Sequence, residues 1–373
     1  MPTILADEDI PFVHELFDKL GTVTTMPGRK INSQHLSGID ILLVRSVTRV
    51  DRDLLQGHSI VFVGSCTIGV DHLDTDYLDH MGISWASAPG CNANAVVQYV
   101  FSAMATLAPD WASSVVGIIG CGNVGSRLLS CLRAMGVRCL CYDPLIKQDK
   151  PELTTLNEVL TADIISCHTP ITTMGPFPTY HLIGECELTQ LTSGALLINT
   201  SRGGVVDNAA LLRLIKQRHS LKVALDVWED EPDINPELLD HVDIGTPHIA
   251  GHSLEGKRQG SVQIYYALSE YLNIDAVDPD GLLPVEPKKA VNPAQVTGIE
   301  AQLNALLLSA YTIQDDDRQL RLYRQQPAPM PVFFDHLRKN YPVRRDYSHC
   351  VLPDWLENAS HKHFLAALGF IHK

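Results

Sequence analysis

Three charged side chains lie at or just beyond the ends of short apolar runs, and together they could bind a carboxylate and transfer a proton. Arg202 follows "ALLINT", Glu231 lies in "LDVWEDEP", and His248 follows "VDIGTP". A guanidinium binds a carboxylate through two parallel hydrogen bonds, and histidine exchanges protons near neutral pH. A carboxylate beside the histidine fixes its tautomer and stabilises the imidazolium. Such a set predicts oxidation of an α-hydroxy acid, with hydride leaving for a nicotinamide.

Each of these residues also has a purely structural explanation. Arg202 could be an exposed surface arginine, Glu231 a carboxylate that caps the "EDEP" turn, and His248 a histidine satisfied in the core. His248 and His252 are four positions apart, so on a helix they could share a face and bind a metal. The flanking "IAG" and "SLEG" contain no further motif such as HExxH, and the sequence therefore predicts no metal.

A dinucleotide-binding fingerprint lies upstream of these residues, in "VVGIIGCGNVGSRLLSCLRAMGVRCLCYD". An apolar strand leads into Gly120, Gly122 and Gly125, spaced G-x-G-x-x-G, and then into a helix. The first glycine permits the tight turn, the second lets the backbone approach a pyrophosphate, and the third lets helix and strand pack closely. The N–H groups at the helix N-terminus attract phosphate. Asp143 follows Gly120 by 23 residues, where a carboxylate meets the ribose hydroxyls.

Asp143 also bears on the choice of cofactor. A carboxylate at this position repels the 2′-phosphate of NADP, and no arginine directly follows it. The sequence therefore predicts NAD. The alternative is that Asp143 only begins a turn at "DP".

Two stretches of alternating strands and helices must position these residues, a pattern typical of parallel α/β sheets. The first covers roughly residues 1–90, with strands at "TILAD", "DILLVRS", "IVFVGS" and "ISWASAP". The second covers roughly residues 113–247, with strands at "SSVVGIIG", "VRCLCYD", "ADIISCH", "GALLINTS", "LKVALDVW" and "VDIGTPH". Long helices are predicted at "NANAVVQYVFSAMATLAPD" and "LEGKRQGSVQIYYALSEYLN", between and after the two stretches.

The composition is that of an ordinary globular protein, with 45% apolar and 19% charged residues. No apolar run approaches the roughly 18 residues that span a bilayer, and "MPTILADEDIPF" does not resemble a signal peptide. The nine cysteines are scattered, which indicates reduced thiols and a cytoplasmic protein. The net charge of −14 argues against binding to nucleic acid or an anionic membrane.

The ordered motifs "GIIGCGNVG", "YDP", "HTPIT", "LINTSRGGVVD", "ALDVWEDEP" and "TPHIAGHSLEG" resemble those of the D-isomer-specific 2-hydroxyacid dehydrogenases, over about residues 40–275. The resemblance implies two doubly wound parallel-sheet lobes, one flavodoxin-like for substrate and one Rossmann lobe for NAD. It also implies Arg202, Glu231 and His248 as catalytic residues, with His248 as the acid/base. The implied cofactor contacts, together with the fingerprint residues, are Gly120, Gly122, Asn123, Val124, Gly125, Asp143, Thr169, Thr200, Ser201, Arg202, Asp226 and Gly251.

Within that family, "LLVRSVTRV", "GSCTIGVDHLD" and "APGCNANAVVQYV" are most similar to members that act on a phosphorylated four-carbon acid. The tail "FFDHLRKNYPVRRDYS" resembles their C-terminal dimerisation domain. The resemblance implies NAD-dependent oxidation of 4-phospho-D-erythronate to (R)-3-hydroxy-2-oxo-4-phosphooxybutanoate, in pyridoxal 5′-phosphate biosynthesis, by a homodimer. The domains expected are a substrate lobe of residues 1–92 and 248–285, an NAD-binding domain of 93–247, and a small α+β dimerisation domain of 286–373.

The predicted substrate contacts are Ser46 and Thr67, which match family positions, and Arg45, which lies at a predicted strand end and could bind the phosphate. The alternative is that Arg45 is a surface residue. His252 stands where the family usually has tyrosine, so its role is open. A bolder hypothesis is that Arg344 or Arg345 reaches the phosphate from a dimer partner. The simpler interpretation is that these arginines belong to a solvated basic helix end.

Two other functions remain possible at this stage. 3-Phosphoglycerate dehydrogenase has the same core motifs, but the C-terminal segment does not resemble a small regulatory ligand-binding domain. A non-catalytic NAD(H)-sensing corepressor on the same fold can keep all three charged residues. The sequence lacks the long disordered flanks and basic tracts that such a protein would use to recruit partners.

Overall fold

The chain forms two compact α/β units in this computed structural model, which describes residues 1–146, 152–217, 220–285, 287–294, 296–352 and 359–371. The first unit comprises Met1–Asn92 and Ser253–Pro287. The second comprises Ala93–His252 and Lys288–Lys373. No helix within the described ranges has both the length and the apolar character that a bilayer crossing needs.

The first unit contains a five-stranded, fully parallel sheet in the order β2-β1-β3-β4-β5. This order is that of flavodoxin-like folds, as the sequence predicts. Its strands are β1 (Thr3–Asp7), β2 (Thr22–Met26), β3 (Ile41–Val44), β4 (Phe62–Ser65) and β5 (Ser84–Ala86). Its helices are α1 (Val13–Phe17), α2 (Arg52–Leu55), α3 (Thr75–Met81) and α10 (Leu254–Tyr271), which is numbered by its place in the chain.

Helix α10 packs on this sheet, because its buried Ile264, Tyr265 and Leu268 join one hydrophobic cluster with residues of β1, β3 and β4. Ser253 caps its N-terminus by accepting a hydrogen bond from the N–H of Gly256. The late segment of the chain therefore returns to complete the core of the first unit.

The second unit contains a six-stranded parallel sheet in the order β11-β10-β9-β8-β6-β7. The chain runs from β6 to β7 at one edge and then crosses to β8 on the other side of β6. This reversal is the switch point at which doubly wound sheets bind ligands. The strands are β6 (Val115–Ile119), β7 (Arg138–Tyr142), β8 (Ile164–Cys167), β9 (Leu196–Asn199), β10 (Lys222–Leu225) and β11 (Ile244–Gly245).

Six helices accompany this sheet, and most have an apolar face buried against it. Helix α5 begins directly after the glycine-rich turn and ends at Gly136, which adopts the left-handed conformation (φ 81°) common at helix ends. The helices are α4 (Ala93–Leu107), α5 (Asn123–Met135), α6 (Leu156–Val159), α7 (Glu185–Gln190), α8 (Asn208–Gln217) and α9 (Pro236–His241).

The C-terminal segment belongs to the second unit and shares its hydrophobic core. The rings of Phe101 on α4 and Phe364 lie 5.3 Å apart, and Trp111 also contacts Phe364 at 5.6 Å. The segment consists of α11 (Ile299–Ala310), α12 (Ile313–Arg321), α13 (Met330–Lys339), α14 (Ala359–Leu368) and the parallel pair β12 (Lys289–Ala290) and β13 (Cys350–Val351).

This division differs in two places from the three domains that the sequence predicts. Residues 288–373 group with the NAD-binding unit, because α4 and the C-terminal helices bury their apolar faces in one cluster. A separate dimerisation domain of residues 286–373 stays a prediction. Residues 248–252 group with the second unit rather than with the substrate lobe, because the loop that contains them is hydrogen-bonded to Asp226. The all-parallel α/β class itself is confirmed for both units.

Candidate active site

His248 and Glu231 form a close pair in the second unit. His248 Nδ1 lies 2.7 Å from Glu231 Oε2, and Glu231 Oε1 accepts a hydrogen bond from the backbone N–H of Trp228 at 2.7 Å. Burial opposes ionisation of Glu231, but the facing His248 and the Trp228 N–H outweigh it, so that the pKa of Glu231 lies below its ordinary value. The carboxylate therefore stays charged and holds the imidazole through Nδ1, which leaves Nε2 for a substrate.

The loop that contains His248 wraps around the carboxylate of Asp226. Asp226 Oδ1 accepts from the N–H of Ile249 at 2.7 Å and from the hydroxyl of Thr246 at 2.7 Å, and Oδ2 accepts from the N–H of Ala250 at 2.9 Å. The N–H of His248 donates to the carbonyl of Asp226 at 2.8 Å. These bonds hold His248 at a φ of 55°, a left-handed conformation that costs free energy in a non-glycine residue.

The family motifs predict that Asp226 contacts the cofactor, whereas in the structure its carboxylate is bound by the loop that contains His248. Its side chain is 1% exposed and its carboxylate accepts three hydrogen bonds from the loop, so it orders that loop. Burial raises its pKa. A direct cofactor contact by Asp226 stays a prediction.

Arg202 is the N-cap residue of a short 3₁₀ turn after β9, and it is partly exposed. Its guanidinium donates to the carbonyl of Ser201 at 2.8 Å. The next residue must be glycine, because a Cβ at Gly203 would lie 1.8 Å from the carbonyl oxygen of Trp228. This close backbone contact brings the turn that contains Arg202 against the segment that leads to Glu231.

The glycine-rich turn lines a pocket of about 260 Å³ at the switch point of the same unit. Gly125 permits the tight junction of strand and helix, since a Cβ there would lie 1.9 Å from the carbonyl oxygen of Gly120. Asp143 stands at the end of β7, where its Oδ2 accepts from the N–H of Cys121 at 2.8 Å and its Oδ1 from the N–H of Leu145 at 3.1 Å. Gly120, Gly122 and Asp143 therefore line one cavity, and Gly125 packs directly behind Gly120.

Three features of this pocket fit a dinucleotide. Gly122 precedes α5 without a side-chain cap, and the space where its Cβ would stand is open, so the helix N-terminus is accessible to phosphate. Thr169 Oγ1 is buried in the wall and has no hydrogen-bond partner among the described residues. Apolar side chains, among them Leu145 and Phe177, also line the cavity. Asn123 and Val124 open the helix itself.

His168 is a residue of this pocket that the sequence reasoning missed. Its Nε2 lies 2.9 Å from the hydroxyl of Ser166 and its Nδ1 3.2 Å from that of Thr200. Burial lowers the pKa of His168 to about 3. The "HTPIT" motif predicts a cofactor contact for Thr169 but assigns no role to His168, although a histidine directly after a predicted buried strand could have been identified as a side chain at the pocket.

We expect the neutral state of His168 to make the protein less stable in acid. In the unfolded chain histidine titrates near 6.5 and in the fold near 3, so between these values the unfolded state binds more protons. The free energy of unfolding should therefore fall by up to about 1.4 kcal/mol for each pH unit below 6.5. Urea unfolding at about pH 7, 6 and 5 should show a shallower dependence for His168→Gln. Parallel curves for both proteins would contradict this assignment.

Ser201 and Thr200 are also fixed near the pocket, whereas Gly251 lies in the turn after His248. The hydroxyl of Ser201 donates to Asn199 Oδ1 at 2.7 Å, which orders the turn after β9.

His252 stands partly exposed beside the C-terminal segment, with its ring edge-to-face against Tyr341 at 5.9 Å. The two histidines do not share a helix face, because residues 248–252 form a turn that precedes α10.

The predicted substrate contacts of the first unit lie at the ends of β3 and β4. Arg45 binds Asp7 through Nε (2.9 Å) and Asp9 through Nη2 (2.6 Å), so its charge is already matched by two carboxylates. Ser46 is exposed, and the hydroxyl of Thr67 lies 3.0 Å from that of Ser65. A phosphate contact by Arg45 would compete with its acidic partners, and all three contacts stay predictions.

Arg344 is buried within the second unit, with 6% of its surface exposed, and donates to the carbonyl of Ala250. Arg344 therefore does not extend outward, as it would have to in order to reach the substrate phosphate of a dimer partner. Arg345 is partly exposed, and its contact with substrate stays a prediction.

Comparison with known proteins identifies the family. Residues 93–250 match the family model of the "D-isomer specific 2-hydroxyacid dehydrogenase, NAD binding domain". The erythronate-4-phosphate dehydrogenase of Cellvibrio japonicus is 46% identical, in an alignment that covers 98% of this chain and 99% of that protein. The chain belongs to the erythronate-4-phosphate dehydrogenase family. The corresponding protein of Cronobacter sakazakii is 46% identical over 92% of both chains. The chain is accordingly an NAD-dependent dehydrogenase, as the motifs predict.

Solved structures agree with the fold of this family. D-Lactate dehydrogenase from Aquifex aeolicus, complexed with NAD and lactic acid, superposes with a TM-score of 0.63 at 26% identity and covers 72% of this chain and 95% of its own. NAD⁺-bound 3-phosphoglycerate dehydrogenase from Entamoeba histolytica has a TM-score of 0.64 at 21% identity, with 73% and 96% coverage, and shows the shared fold alone. Residues 282–369 match a separate model described as a domain of unknown function (DUF3410).

One further cluster of the second unit could hold a metal ion by its composition. His181 Nε2 lies 2.6 Å from Glu229 Oε1, and its Nδ1 lies 3.7 Å from Asp207 Oδ2. Glu229 Oε2 already accepts from the N–H of Asn208 at 2.9 Å. The group is explained as a histidine held between two carboxylates of neighbouring loops.

Proposed function

We propose that this protein oxidises 4-phospho-D-erythronate to (R)-3-hydroxy-2-oxo-4-phosphooxybutanoate with NAD, in pyridoxal 5′-phosphate biosynthesis. The observation that carries the chemistry is the 2.7 Å contact between His248 Nδ1 and Glu231 Oε2, in the same unit as the glycine-rich pocket. The choice of substrate is supported by relatives of that name at 44–46% identity. The protein acts in the cytoplasm as a homodimer, for which the C-terminal segment is the candidate interface.

The side chains have separate tasks in this reaction. Arg202 binds the substrate carboxylate through its guanidinium. His248 Nε2 takes the proton of the C2 hydroxyl, so that the O–H electron pair forms the carbonyl while C2 releases its hydrogen as hydride. NAD, when bound, supplies the hydride acceptor. Glu231 stabilises the imidazolium that results and prevents the ring from turning.

The remaining predicted residues bind the cofactor and the far end of the substrate. Asp143 would accept hydrogen bonds from the adenosine ribose in addition to those of the backbone, and Thr169 would offer its buried hydroxyl to the bound cofactor. In the first unit, Ser46 and Thr67 donate to the phosphate. His252 contacts the substrate from the position where the family usually has tyrosine.

The decisive experiment measures NADH formation with 4-phospho-D-erythronate, 3-phosphoglycerate and D-lactate under the same conditions. We expect the highest kcat/KM with the four-carbon phosphate. Preference for 3-phosphoglycerate would replace the proposed substrate. Tight NAD binding without turnover of any hydroxy acid would favour an NAD(H) sensor instead.

A further inference from the structure

Two buried charged residues of the C-terminal segment bracket the loop that contains His248. On one side, the N–H of Gly245, at the end of β11, donates to Asp317 Oδ1 at 2.7 Å. On the other side, the carbonyl of Ala250 accepts from Nη2 of Arg344. Asp317 and Arg344 lie within residues 282–369, which match the model of a domain of unknown function and lie outside the match to the NAD-binding domain. The loop between these two contacts, residues 246–249, is therefore fixed at both ends by the C-terminal segment, which contains none of the predicted catalytic residues.

The contact of Arg344 with the loop is specific. Nε and Nη1 of Arg344 are buried and have no hydrogen-bond partner among the described residues, and the carbonyl of Ala95 is a distant acceptor at 3.4 Å. The guanidinium lies over the ring of Tyr311, with its carbon 4.4 Å from the ring centroid. The carbonyl of Ala250 is thus the main hydrogen-bond acceptor of a buried cation, an arrangement in which a charge-assisted hydrogen bond is strong.

The platform under Arg344 is itself held together by a carboxylate. The hydroxyls of Tyr311 and Tyr341 donate to Asp316 Oδ2 at 2.6 and 2.8 Å. Tyr341 in turn contacts the ring of His252. This cluster fixes the position of Arg344 against the turn that follows His248.

The contact of Asp317 is anchored in a similar way. Both oxygens of Asp317 accept from Nε of Arg321 at 2.9 Å. Arg321 also donates to the carbonyls of Leu239 and Val242, at 2.7 and 2.8 Å, just before β11. A single residue of α12 therefore ties both Asp317 and the approach to β11 into one network.

The loop requires such support because His248 has a left-handed backbone. Asp226 binds the loop from the side of the sheet, and Asp317 and Arg344 bind it from the side of the C-terminal segment. We propose that Asp317 and Arg344 are positioning residues that hold His248 in its reactive orientation, so that the C-terminal segment contributes to catalysis through the loop. The inference rests on His248 as the acid/base of the proposed function.

The test compares Arg344→Met, which keeps the length of the side chain but removes the donor, with Arg344→Lys, which retains a donor and the charge. We expect Arg344→Met to lower kcat roughly 10- to 100-fold, the scale of a displaced reactive group, with the KM for NAD unchanged. Arg344→Lys should recover part of the loss. Asp317→Asn, which weakens the link to Arg321, should also lower kcat without affecting the KM for NAD.

The matched control is Asn304→Leu, in the same segment on α11. Asn304 is buried, accepts from Trp111 Nε1 at 2.8 Å and donates to the carbonyl of Pro109 at 2.7 Å, so its loss loosens the segment without touching the loop. We expect a lower Tm with kcat retained. Wild-type kcat in Arg344→Met, or equal kcat losses in Arg344→Met and Asn304→Leu, would overturn the proposal.

A second measurement separates this inference from the choice of substrate. The ¹⁵N NMR shifts of the His248 ring, in the full-length NAD-bound protein, report its hydrogen bond to Glu231 without any turnover. We expect them to change in Arg344→Met and not in Asn304→Leu. If the wild type oxidises none of the acids tested, the proposed function fails while these shifts still decide the inference. Identical shifts in the wild type, Arg344→Met and Asn304→Leu would overturn the proposal that Arg344 positions His248.

Discussion

Replacement of His248 by alanine should lower kcat by roughly 10²–10⁴-fold, the contribution of a positioned general acid or base. The reason is that Nδ1 is bound to Glu231 at 2.7 Å, so that Nε2 is the ring nitrogen that exchanges a proton with the substrate. The KM for NAD should stay near that of the wild type, since the glycine-rich pocket is formed by other residues. Initial rates of NADH formation over a range of substrate concentrations measure both parameters.

His252 provides the comparison for this experiment. Its ring lies beside Tyr341, whereas the oxygens of Glu231 bind His248 and the N–H of Trp228, so His252→Ala should act mainly on the KM for the hydroxy acid. His241→Ala is the control for loss of an ordinary histidine, because His241 is exposed and its Nδ1 bonds to the carbonyl of Glu237, within its own helix. If His248→Ala and His252→Ala lose kcat equally, the assignment of unequal roles is wrong.

Replacement of Glu231 by glutamine should have an effect of similar size, roughly 10²–10⁴-fold in kcat. Both oxygens of Glu231 are used, one by the N–H of Trp228 and the other by His248 Nδ1. Glutamine offers a single carbonyl oxygen, so its NH₂ group must face one of these partners. Where it faces His248, Nδ1 has to become the acceptor and the proton moves to Nε2, which can then no longer accept the hydroxyl proton.

Glu229→Gln is the matched control for this change. Glu229 is also a partly buried carboxylate of the same loop, but it binds His181 and Asn208 rather than His248. We expect Glu229→Gln to keep kcat close to that of the wild type. Retained kcat in Glu231→Gln, or an equal loss in both variants, would show that the pairing with His248 is not what matters.

The sequence predicted the sheets well where strands are buried on both faces. All four residues of β3, β8 and β9 are buried, and each lies inside an apolar run that was read as a strand. It missed β2, whose "TVTTM" is an edge strand with no fully buried residue and therefore no apolar run. Hydrophobic patterning reports burial, and an edge strand of threonines is held by backbone hydrogen bonds that leave no such pattern.

The sequence indicated which residues could do the chemistry, but it did not indicate which residues hold the loop of His248 in place. Arg202, Glu231 and His248 could be proposed as catalytic residues because they lie at or just beyond predicted strand ends and their family motifs are specific. The role of Asp226 in holding the loop depends on three hydrogen bonds across a turn, and that of Arg344 on a contact with a residue 94 positions away. No local pattern encodes contacts of that separation, which is also why Arg344 was expected to point outward.

The shared core of α4 and the C-terminal helices has a consequence for synthesis of the protein. Tyr99, Phe101 and Trp111 belong to the nucleotide-binding unit, yet their cluster is completed by residues between Leu303 and Phe370. During translation, at about 5–20 residues per second, the apolar face of α4 is therefore synthesised many seconds before the C-terminal residues that cover it. The core of the first unit can be completed once residues up to Leu283 have left the ribosome. The nucleotide-binding unit begins earlier in the chain than α10 but is expected to finish folding last, because its core needs the C-terminal helices.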